Sequence, residues 1–402
     1  MRSPRPAGPP RAGARHLAVR TLLSDRDLLA RLVAFDTTSS LSNLPMTDFL
    51  ADYLERPGVR ITRIWSESGE NANLLVVAGP ERSDGNGLIL SGHMDVVPAT
   101  EPEWRSDPFT LTPEGDTYVA RGAADMKGFL ALAANRFASL DPAALEHPLL
   151  LLFTYDEETG TLGARRFSES WTDSALLPRS VVIGEPTSLR VVRSHKGMLR
   201  LRLTFEGVAA HSGYPHLGRN AIEPAGRVIV ALADLRRRME GERPPHGEQF
   251  PEVPFAALNV GTVGGGSAAN VIPDRCEMQL GIRLLPAMAA QDMIDRIRAT
   301  VGAAAAGAPF TLEYVSESPA MILDAEADIH RQLCAAVGQR ESRSVMFATD
   351  AGWLQRMGLE CVLFGPGSIE VAHRPNEFVP VAELDRAGDI LDHIIRQRCR
   401  FS

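Results

Sequence analysis

The sequence predicts an α/β fold in which a mainly parallel sheet, flanked by helices, carries an inserted two-layer α+β domain of ferredoxin-like topology. The first observation is a set of apolar runs, within residues 87–92, 148–160 and 181–186, that alternate with helical segments as parallel strands do. The second is a change near residue 190 to strands of alternating apolar and charged residues, in the order β-α-β-β-α-β. The third is the length of 402 residues, which favours two domains or one large insertion.

The domain boundaries follow from these changes in pattern. We expect a disordered Arg- and Pro-rich tail at residues 1–24, a main domain formed by residues 25–189 and 318–402, and an inserted domain at residues 190–317. The tail contains five arginines, four prolines and no acidic residue, and it lacks the apolar stretch of a secretory signal. An over-long start and organellar targeting are the alternatives for this segment.

Each predicted element follows from a local pattern. Leucines at helical spacing predict a helix over residues 25–35, capped by Ser24 or Asp25, and an Ala- and Leu-rich stretch predicts a helix over residues 126–140. The insert begins with alternating residues 198–207, which indicate a strand with one exposed face. The other predicted elements are strands at 72–79, 255–266, 276–285, 310–318 and 361–368, and helices at 221–239 and 291–305.

The composition excludes several classes of protein. Hydrophobic residues make up 44% and charged residues 23%, as in ordinary globular proteins. A net charge of -8 argues against a nucleic-acid partner and favours a small substrate. No apolar run approaches the roughly 18 residues that cross a bilayer, so we expect no membrane association. The four cysteines are far apart, which fits a reducing, cytoplasmic location.

Metal-binding side chains follow the predicted strands. Ligands in open α/β sheets lie beyond the carboxyl ends of the strands, where these residues are expected. The candidates are His93, Asp125, Glu157, Glu158, Glu185 and His373. Two histidines and several carboxylates suit zinc, cobalt or manganese in a hydrolytic site. Two metals that share one carboxylate each need one histidine and one terminal carboxylate, and Asp125 as the bridge satisfies this count.

Two local patterns leave alternatives open. In His93-x-Asp95 both side chains can point the same way, so the aspartate can orient a metal-bound histidine, although a hydrogen-bonded pair at a strand end has the same sequence. Glu157 and Glu158 are neighbours whose side chains diverge, so one can bind metal while the other handles a proton. A solvated acidic turn is the alternative for this pair.

The motifs together resemble a known family. The stretches SGHMDVVP, ARGAADMKG, TYDEETGTLGAR, GEPTS, AAHSGYPHLGRNAIE, NVIPDRCEMQLGIRLLP and FGPGSIEVAHRPNE occur in family order from residue 25 onward. They are similar to the zinc-dependent aminoacylase and carboxypeptidase family, which includes acetylornithine deacetylases and succinyl-diaminopimelate desuccinylases. The stretches VRSHKG and ALNVGTVGGGSAAN place the likeness nearest the acetylornithine deacetylase branch.

The resemblance implies roles for the strand-end residues. It implies a metal-binding catalytic domain with two Zn²⁺ (or Co²⁺) ions. The implied ligands are His93, Asp125 as the bridge, Glu158, Glu185 and His373. It further implies that Glu157 is the general base, that Asp95 is the carboxylate behind His93, and that a cis peptide bond follows Asp125.

The resemblance also implies that the insert is a lid and dimerisation domain. His211 in the AHS motif would then reach the active site of a second subunit in a homodimer, although a surface-loop histidine is the plainer interpretation. The implied substrate-binding residues are Asn270, Arg283, Thr349 and Gly367. Arg283 suits a substrate carboxylate, with a surface cation as the alternative. Gly281 and Leu284 depart from the deacetylase pattern, which weakens the assignment to ornithine.

The function expected from this resemblance is hydrolysis of an N-acyl amino acid, first of all N-acetylornithine to ornithine and acetate, in arginine biosynthesis. A desuccinylase and a carboxypeptidase or dipeptidase of the same family are the alternatives. A non-catalytic binding protein on the same fold is a more distant one.

Overall fold

The computed structural model describes residues 22–173 and 176–401. Most of the predicted tail, residues 1–21, lies outside them. Its last residues are in contact with the fold: the amide of Leu23 donates to the Tyr53 hydroxyl at 3.2 Å. Ser24 caps the first helix, since its side chain accepts from the amide of Asp27 at 3.1 Å. Leu23 and Ser24, which we assigned to the tail, therefore contact the fold.

The described residues form nine α-helices and eighteen strands, numbered in chain order. The helices are α1 (Asp25–Val33), α2 (Leu44–Leu54), α3 (Gly128–Ser139), α4 (Leu162–Ser170), α5 (Ile222–Glu240), α6 (Ala290–Ala305), α7 (Asp328–Val337), α8 (Ala351–Arg356) and α9 (Val381–Cys399). The strands are β1 (Val59–Trp65), β2 (Ala72–Ala78), β3 (Leu88–His93), β4 (Thr112–Glu114), β5 (Thr117–Val119), β6 (Leu149–Thr154), β7 (Ser180–Ile183), β8 (Val192–His195), β9 (Gly197–Glu206), β10 (Ala210–His211), β11 (Ala257–Gly265), β12 (Val271–Ile272), β13 (Arg275–Leu284), β14 (Phe310–Ser318), β15 (Met321–Ile322), β16 (Arg343–Val345), β17 (Glu360–Leu363) and β18 (Phe378–Pro380).

The larger sheet has nine strands in the order β1-β2-β6-β3-β7-β17-β8-β15, with β16 paired to β8. Its four central strands, β6, β3, β7 and β17, are parallel to one another. The strands toward both edges pair antiparallel, with β16 as a parallel exception, so the sheet is mixed and only its centre is parallel. At one edge, β1 and β2 are joined by a short turn, and short turns connect antiparallel strands. The prediction did not include β1, whose residues alternate between intermediate burial and exposure.

The central strands are apolar because both of their faces are covered. Every residue of β3 and β6 is buried. Helix α3 packs against these strands and against α1 and α9. This packing leaves the carboxyl ends of the central strands as the edge at which polar side chains can gather.

The smaller sheet has four antiparallel strands in the order β11-β13-β9-β14. Helices α5 and α6 pack against each other and against this sheet, around a separate hydrophobic core. The connectivity β9-α5-β11-β13-α6-β14 is the predicted ferredoxin-like arrangement. Among the described helices, none combines the length and the apolar character that a membrane crossing requires.

The two sheets meet at a short junction. We predicted that the insert begins at residue 190, but β8 lies in the larger sheet and the smaller sheet begins at Gly197. Only Lys196 separates β8 from β9, so the sequence contains no loop that marks the boundary. The return connection, between Ser318 and Met321, runs beside it: a Cβ at Gly197 would lie 2.7 Å from the backbone nitrogen of Ala320.

Candidate metal centre

The predicted ligands converge at the carboxyl edge of the central strands. His93 ends β3, the pair Glu157 and Glu158 follows β6, and Glu185 follows β7. Because β6, β3 and β7 are adjacent and parallel, their ends meet at one edge. Asp125, which precedes α3, lies next to His93. His373, from the loop after β17, reaches the same place.

Asp125 lies between the two histidines. Its Oδ1 is 3.0 Å from Nε2 of His93, and its Oδ2 is 3.2 Å from Nε2 of His373. Oε1 of Glu158 lies 3.0 Å from the same nitrogen of His373. The candidate ligand atoms form two groups, each within 4.8 Å: His93, Asp125 and Glu185, and Asp125, Glu158 and His373. Both groups contain one histidine, one terminal carboxylate and the shared Asp125, which is the donor set of two cations joined by one bridging carboxylate.

The electrostatics of the cluster favour the binding of a cation. Burial, together with the repulsion of neighbouring carboxylates, raises the pKa of Glu157, Glu158 and Glu185. Glu185 is only 4% exposed, and its Oε1 has no hydrogen-bond partner among the described residues. Although burial opposes its ionisation, hydrogen bonds from the two histidines hold the pKa of Asp125 well below its usual range. The residues therefore fit metal ions, which would supply the missing positive charge and occupy the unpaired oxygen.

Asp95 positions the turn that carries the two glutamates. Its carboxylate accepts from the backbone amides of Glu157 and Glu158 at 3.0 and 3.2 Å, and from the hydroxyl of Ser39 at 2.7 Å. The nearest partner of the His93 Nδ1 is the backbone oxygen of Asp95 at 2.9 Å, whereas the carboxylate is 3.7 Å away. The pairing implied for this carboxylate is therefore made by the main chain, and the side chain holds the acidic turn.

Glu377 is a supporting residue that the sequence reasoning missed. Its Oε1 accepts from the backbone amides of Ala124 and Asp125, both at 3.0 Å, and its Oε2 pairs with the buried Arg121 at 2.8 Å. The peptide bond between Asp125 and Met126 is cis, as the resemblance implied. Glu377 closes the HRPNE stretch that contains His373, which was the available signal.

A cleft of about 320 Å³ opens between the metal-site residues and the smaller sheet. Glu157 and Glu158 line one side of it, and Arg200 and Arg283 line the other. The two arginines are close enough that Arg200, after burial, lowers the pKa of Arg283. Arg200 was missed, although the alternation of β9 places it on the same face as Met198, which pairs with Arg283 in register. The cleft thus has a metal-binding end and a cationic end.

The other predicted substrate-binding residues lie outside the cleft lining. Thr349 is fully buried, and its hydroxyl lies 3.1 Å from Nε2 of His195. Gly367 has a φ of 84°, and its amide donates to Glu383 at 2.8 Å, so it shapes the loop before His373. Asn270 is exposed.

His211 does not reach the cleft of its own chain. It is exposed on the two-stranded ribbon of β10 and β12, where its Nδ1 accepts from the amide of Gly213 at 3.0 Å. The backbone oxygen of Asn270 accepts from the amide of Ser212 at 2.9 Å, so Asn270 lies beside it. The two residues form one exposed polar pair on the insert.

The fold and the two-group site define a metal-binding hydrolase, and the comparisons specify its family. A model of Peptidase family M20/M25/M40 matches residues 89–397, so the chain belongs to this family, whose members hydrolyse amide bonds. The acetylornithine deacetylase of Proteus mirabilis is 35% identical over 93% of this chain and 95% of that protein. The acetylornithine deacetylase of Myxococcus xanthus is 34% identical over 94% of this chain and 98% of that protein.

Solved structures show the same fold at lower identity. A family M20 metallo-carboxypeptidase of Sulfolobus solfataricus has a TM-score of 0.74 and 17% identity, covering 93% of this chain and 99% of that one. A dinuclear metal-binding peptidase of Bacillus subtilis has a TM-score of 0.64 and 16% identity, covering 94% of this chain and 99% of that one. These similarities confirm the α/β domain with its insert.

Proposed function

We propose that this chain removes the acetyl group from N-acetylornithine, giving ornithine and acetate. The observation that carries the proposal is the pair of ligand groups that share Asp125, with Glu157 beside them in the same cleft. The two deacetylase relatives, each similar over more than nine-tenths of both chains, support this substrate. A desuccinylase or a carboxypeptidase would need the same groups, so the substrate must be tested directly.

The cofactors we propose are two Zn²⁺ or Co²⁺ ions. One would be held by His93, Asp125 and Glu185, and the other by Asp125, Glu158 and His373. When bound, such ions supply Lewis acidity for the amide carbonyl and lower the pKa of water.

Glu157 is the residue we assign to proton transfer. It lines the cleft but belongs to neither ligand group, so its carboxylate remains free. It would take the proton of the attacking water and return it to the leaving nitrogen. Asp95 keeps this carboxylate in place, because its own side chain accepts from the backbone amide of Glu157.

The cationic end of the cleft orients the substrate. Arg283 and Arg200 would bind the carboxylate of the amino acid, so that the acyl amide lies toward the metal ligands. Thr349 and Gly367 would support this arrangement from behind the cleft. The positions of these residues favour a substrate with one carboxylate and one acylated amine.

We further propose that the chain works as a homodimer through its inserted domain. His211 and Asn270 of a second copy would then complete the cleft, where His211 would stabilise the developing oxyanion. Apolar side chains exposed on the insert support this assembly: Tyr214, Leu217, Val230 and Val263 are each more than half exposed. A monomer with full activity at assay concentration would contradict this role.

The cellular placement that we propose is the cytoplasm, in arginine biosynthesis. All four cysteines are free thiols, which fits a reducing compartment.

A hydrolysis panel tests the proposed function. The zinc-loaded and cobalt-loaded protein is assayed with N-acetylornithine, N-acetylmethionine, succinyl-diaminopimelate and simple dipeptides. We expect the highest kcat/KM for N-acetylornithine and two metal ions per chain. Faster turnover of the succinylated substrate or of a dipeptide would overturn the substrate assignment. Failure to bind metal would overturn the mechanism as well.

A further inference from the structure

A second cavity lies in the catalytic domain, next to the turn that follows Glu185, and its walls are rich in arginine. It has a volume of about 520 Å³ and is bounded by the turn at residues 188–190, the segment at 337–343 and helix α9. Four arginines line this arginine cavity, whereas Glu341 is the one carboxylate among the lining residues. The arginines are Arg190, Arg340, Arg343 and Arg386.

The four guanidinium groups have no anionic partner. Within residues 22–173 and 176–401, none of them forms an ion pair, although the chain as a whole carries a net charge of -8. Arg386 donates only to the backbone oxygen of Ala336, at 3.4 Å. Clustered unpaired arginines repel one another, and they match the geometry of carboxylate and phosphate groups.

The walls of the cavity are held in place by regular structure. The Gln339 side chain accepts from the amide of Val191 at 2.9 Å and donates to its carbonyl at 2.8 Å. Arg343 begins β16, and it pairs with Val192 of β8. These contacts hold Arg190 next to Arg343, so the cationic groups face one space before any ligand binds.

A smaller cavity lies between the arginine cavity and the catalytic cleft. It has a volume of about 210 Å³ and is lined by Arg190 and Arg343 at one end and by Phe347 and Ile369 at the other. Phe347 and Ile369 also line the catalytic cleft. The smaller cavity therefore shares lining residues with both the arginine cavity and the cleft.

The same turn joins the cavity to the ligand loops. It follows Glu185 closely, and it hydrogen-bonds to the loop that leads to His373: the amide of Ser188 donates to the carbonyl of Gly367 at 2.7 Å, and that of Leu189 to Gly365 at 3.0 Å. A ligand that contacts the turn thus acts on the backbone next to both metal groups.

From these contacts we propose that the arginine cavity binds a small molecule with at least two anionic groups, carboxylate or phosphate, and that its occupancy changes substrate binding in the cleft. Because the arginines are exposed, a single charge would be screened by solvent, and affinity requires several contacts at once. The anion is either the remote end of a long substrate or a separate effector. Both sources share the same recognition chemistry.

The first test measures binding by calorimetry on the zinc-loaded protein. The probes are propane-1,2,3-tricarboxylate, which lacks the hydroxyl that makes citrate a strong chelator, and inorganic phosphate. We expect saturable tricarboxylate binding that weakens as potassium chloride is raised, with phosphate binding more weakly. Absence of saturable tricarboxylate binding up to about 10 mM would overturn the proposal.

Variants then locate the site. Arg340→Gln with Arg386→Gln removes two arginines that do not line the cleft, and we expect tricarboxylate affinity to fall about tenfold or more. The lysine pair, Arg340→Lys with Arg386→Lys, keeps the charge and should bind with intermediate affinity. The matched control is Arg238→Gln with Arg298→Gln, two exposed arginines on α5 and α6, which should bind like wild type. Equal affinity in the first pair and the control would refute the site.

Kinetics identify the source of the anion. If the tricarboxylate raises KM alone in the wild type, and less so in Arg340→Gln with Arg386→Gln, it competes with the remote end of a long substrate. If it changes kcat or leaves a finite KM at saturation, it is a separate effector. Either result supports the cavity, while no effect on either constant contradicts the coupling to the cleft. An equal rise of KM in both proteins would place the tricarboxylate in the cleft and contradict the proposed site. Since binding is measured without turnover, the cavity is tested even if N-acetylornithine is not the substrate.

Discussion

The two ligand groups contain the same kinds of donor but differ in their access to solvent. In the first group, His93 is 2% exposed and Glu185 is 4% exposed. In the second, His373 has a side chain that is 46% exposed. The buried group stands at the ends of two central strands, whereas His373 comes from a loop and has a φ of 62°. The difference indicates a tightly built site joined to one that is open to solvent, with Asp125 common to both.

Asp125→Asn should impair both ligand groups at once, because it removes the bridging charge that they share. We expect loss of both metal ions and a fall in activity of about four orders of magnitude. Metal analysis and steady-state kinetics measure the two effects. Asp385→Asn, at an exposed position on α9, is the control that should leave both unchanged. Two bound ions in the Asp125 variant would show that the bridge is assigned wrongly.

Glu157→Gln separates metal binding from proton transfer. The amide has the same shape but cannot accept the proton, so we expect kcat to fall about 10²- to 10⁴-fold while both ions stay bound. Glu55→Gln, exposed at the end of α2, should behave like wild type. If the Glu157 variant keeps nearly full turnover, another group is the base.

Timed removal of metal measures the difference between the two groups directly. During dialysis against a chelator, we expect the ion at the exposed group to leave about tenfold faster or more than the ion at the buried group. Glu158→Gln should remove the fast phase and Glu185→Gln the slow one. A single phase in wild type would mean that the two sites exchange as a unit.

The smallest effect concerns the metal-free protein. Hydrogen bonds with Asp125 and Glu158 raise the pKa of His373 from 6.5 to about 10. Since the folded state then binds the proton more tightly, this contribution to stability is complete below pH 6.5 and is lost as the pH rises through 10. Thermal unfolding of metal-free protein should therefore show a decline over that window, reduced in His373→Gln and retained in the exposed His393→Gln. The same slope in both variants would exclude His373 as its source.

Much of the fold and site could be predicted because the signals were local. An apolar run followed at once by a histidine or carboxylate identifies a central strand and its ligand together, as at His93, Glu158 and Glu185. The connectivity of the insert could also be predicted, because apolar and polar residues alternate along its strands. Asp125 and His373 are not at the ends of predicted strands of this kind, and they depended on the ligand count and on motif resemblance.

The parts that were missed depend on contacts between distant segments. Glu377 holds the backbone at Asp125 across more than 250 residues of sequence, and although it ends the stretch that contains His373, that stretch does not indicate which distant segment it contacts. Arg200 enters the cleft through the register between β9 and β13, which sequence alone did not supply. The carboxylate of Asp95 accepts from the amides of Glu157 and Glu158 in the turn after β6, a contact that its position beside His93 in the sequence did not indicate.

Two short peptides join the sheets, and they set the spacing between the arginines of the cleft and the metal ligands. Lys196 on one connection and Pro319-Ala320 on the other lie side by side, and Arg200 stands only about 10 Å along β9 from Gly197. We expect the enzyme to select substrates in which the distance from the carboxylate to the acyl amide matches this spacing.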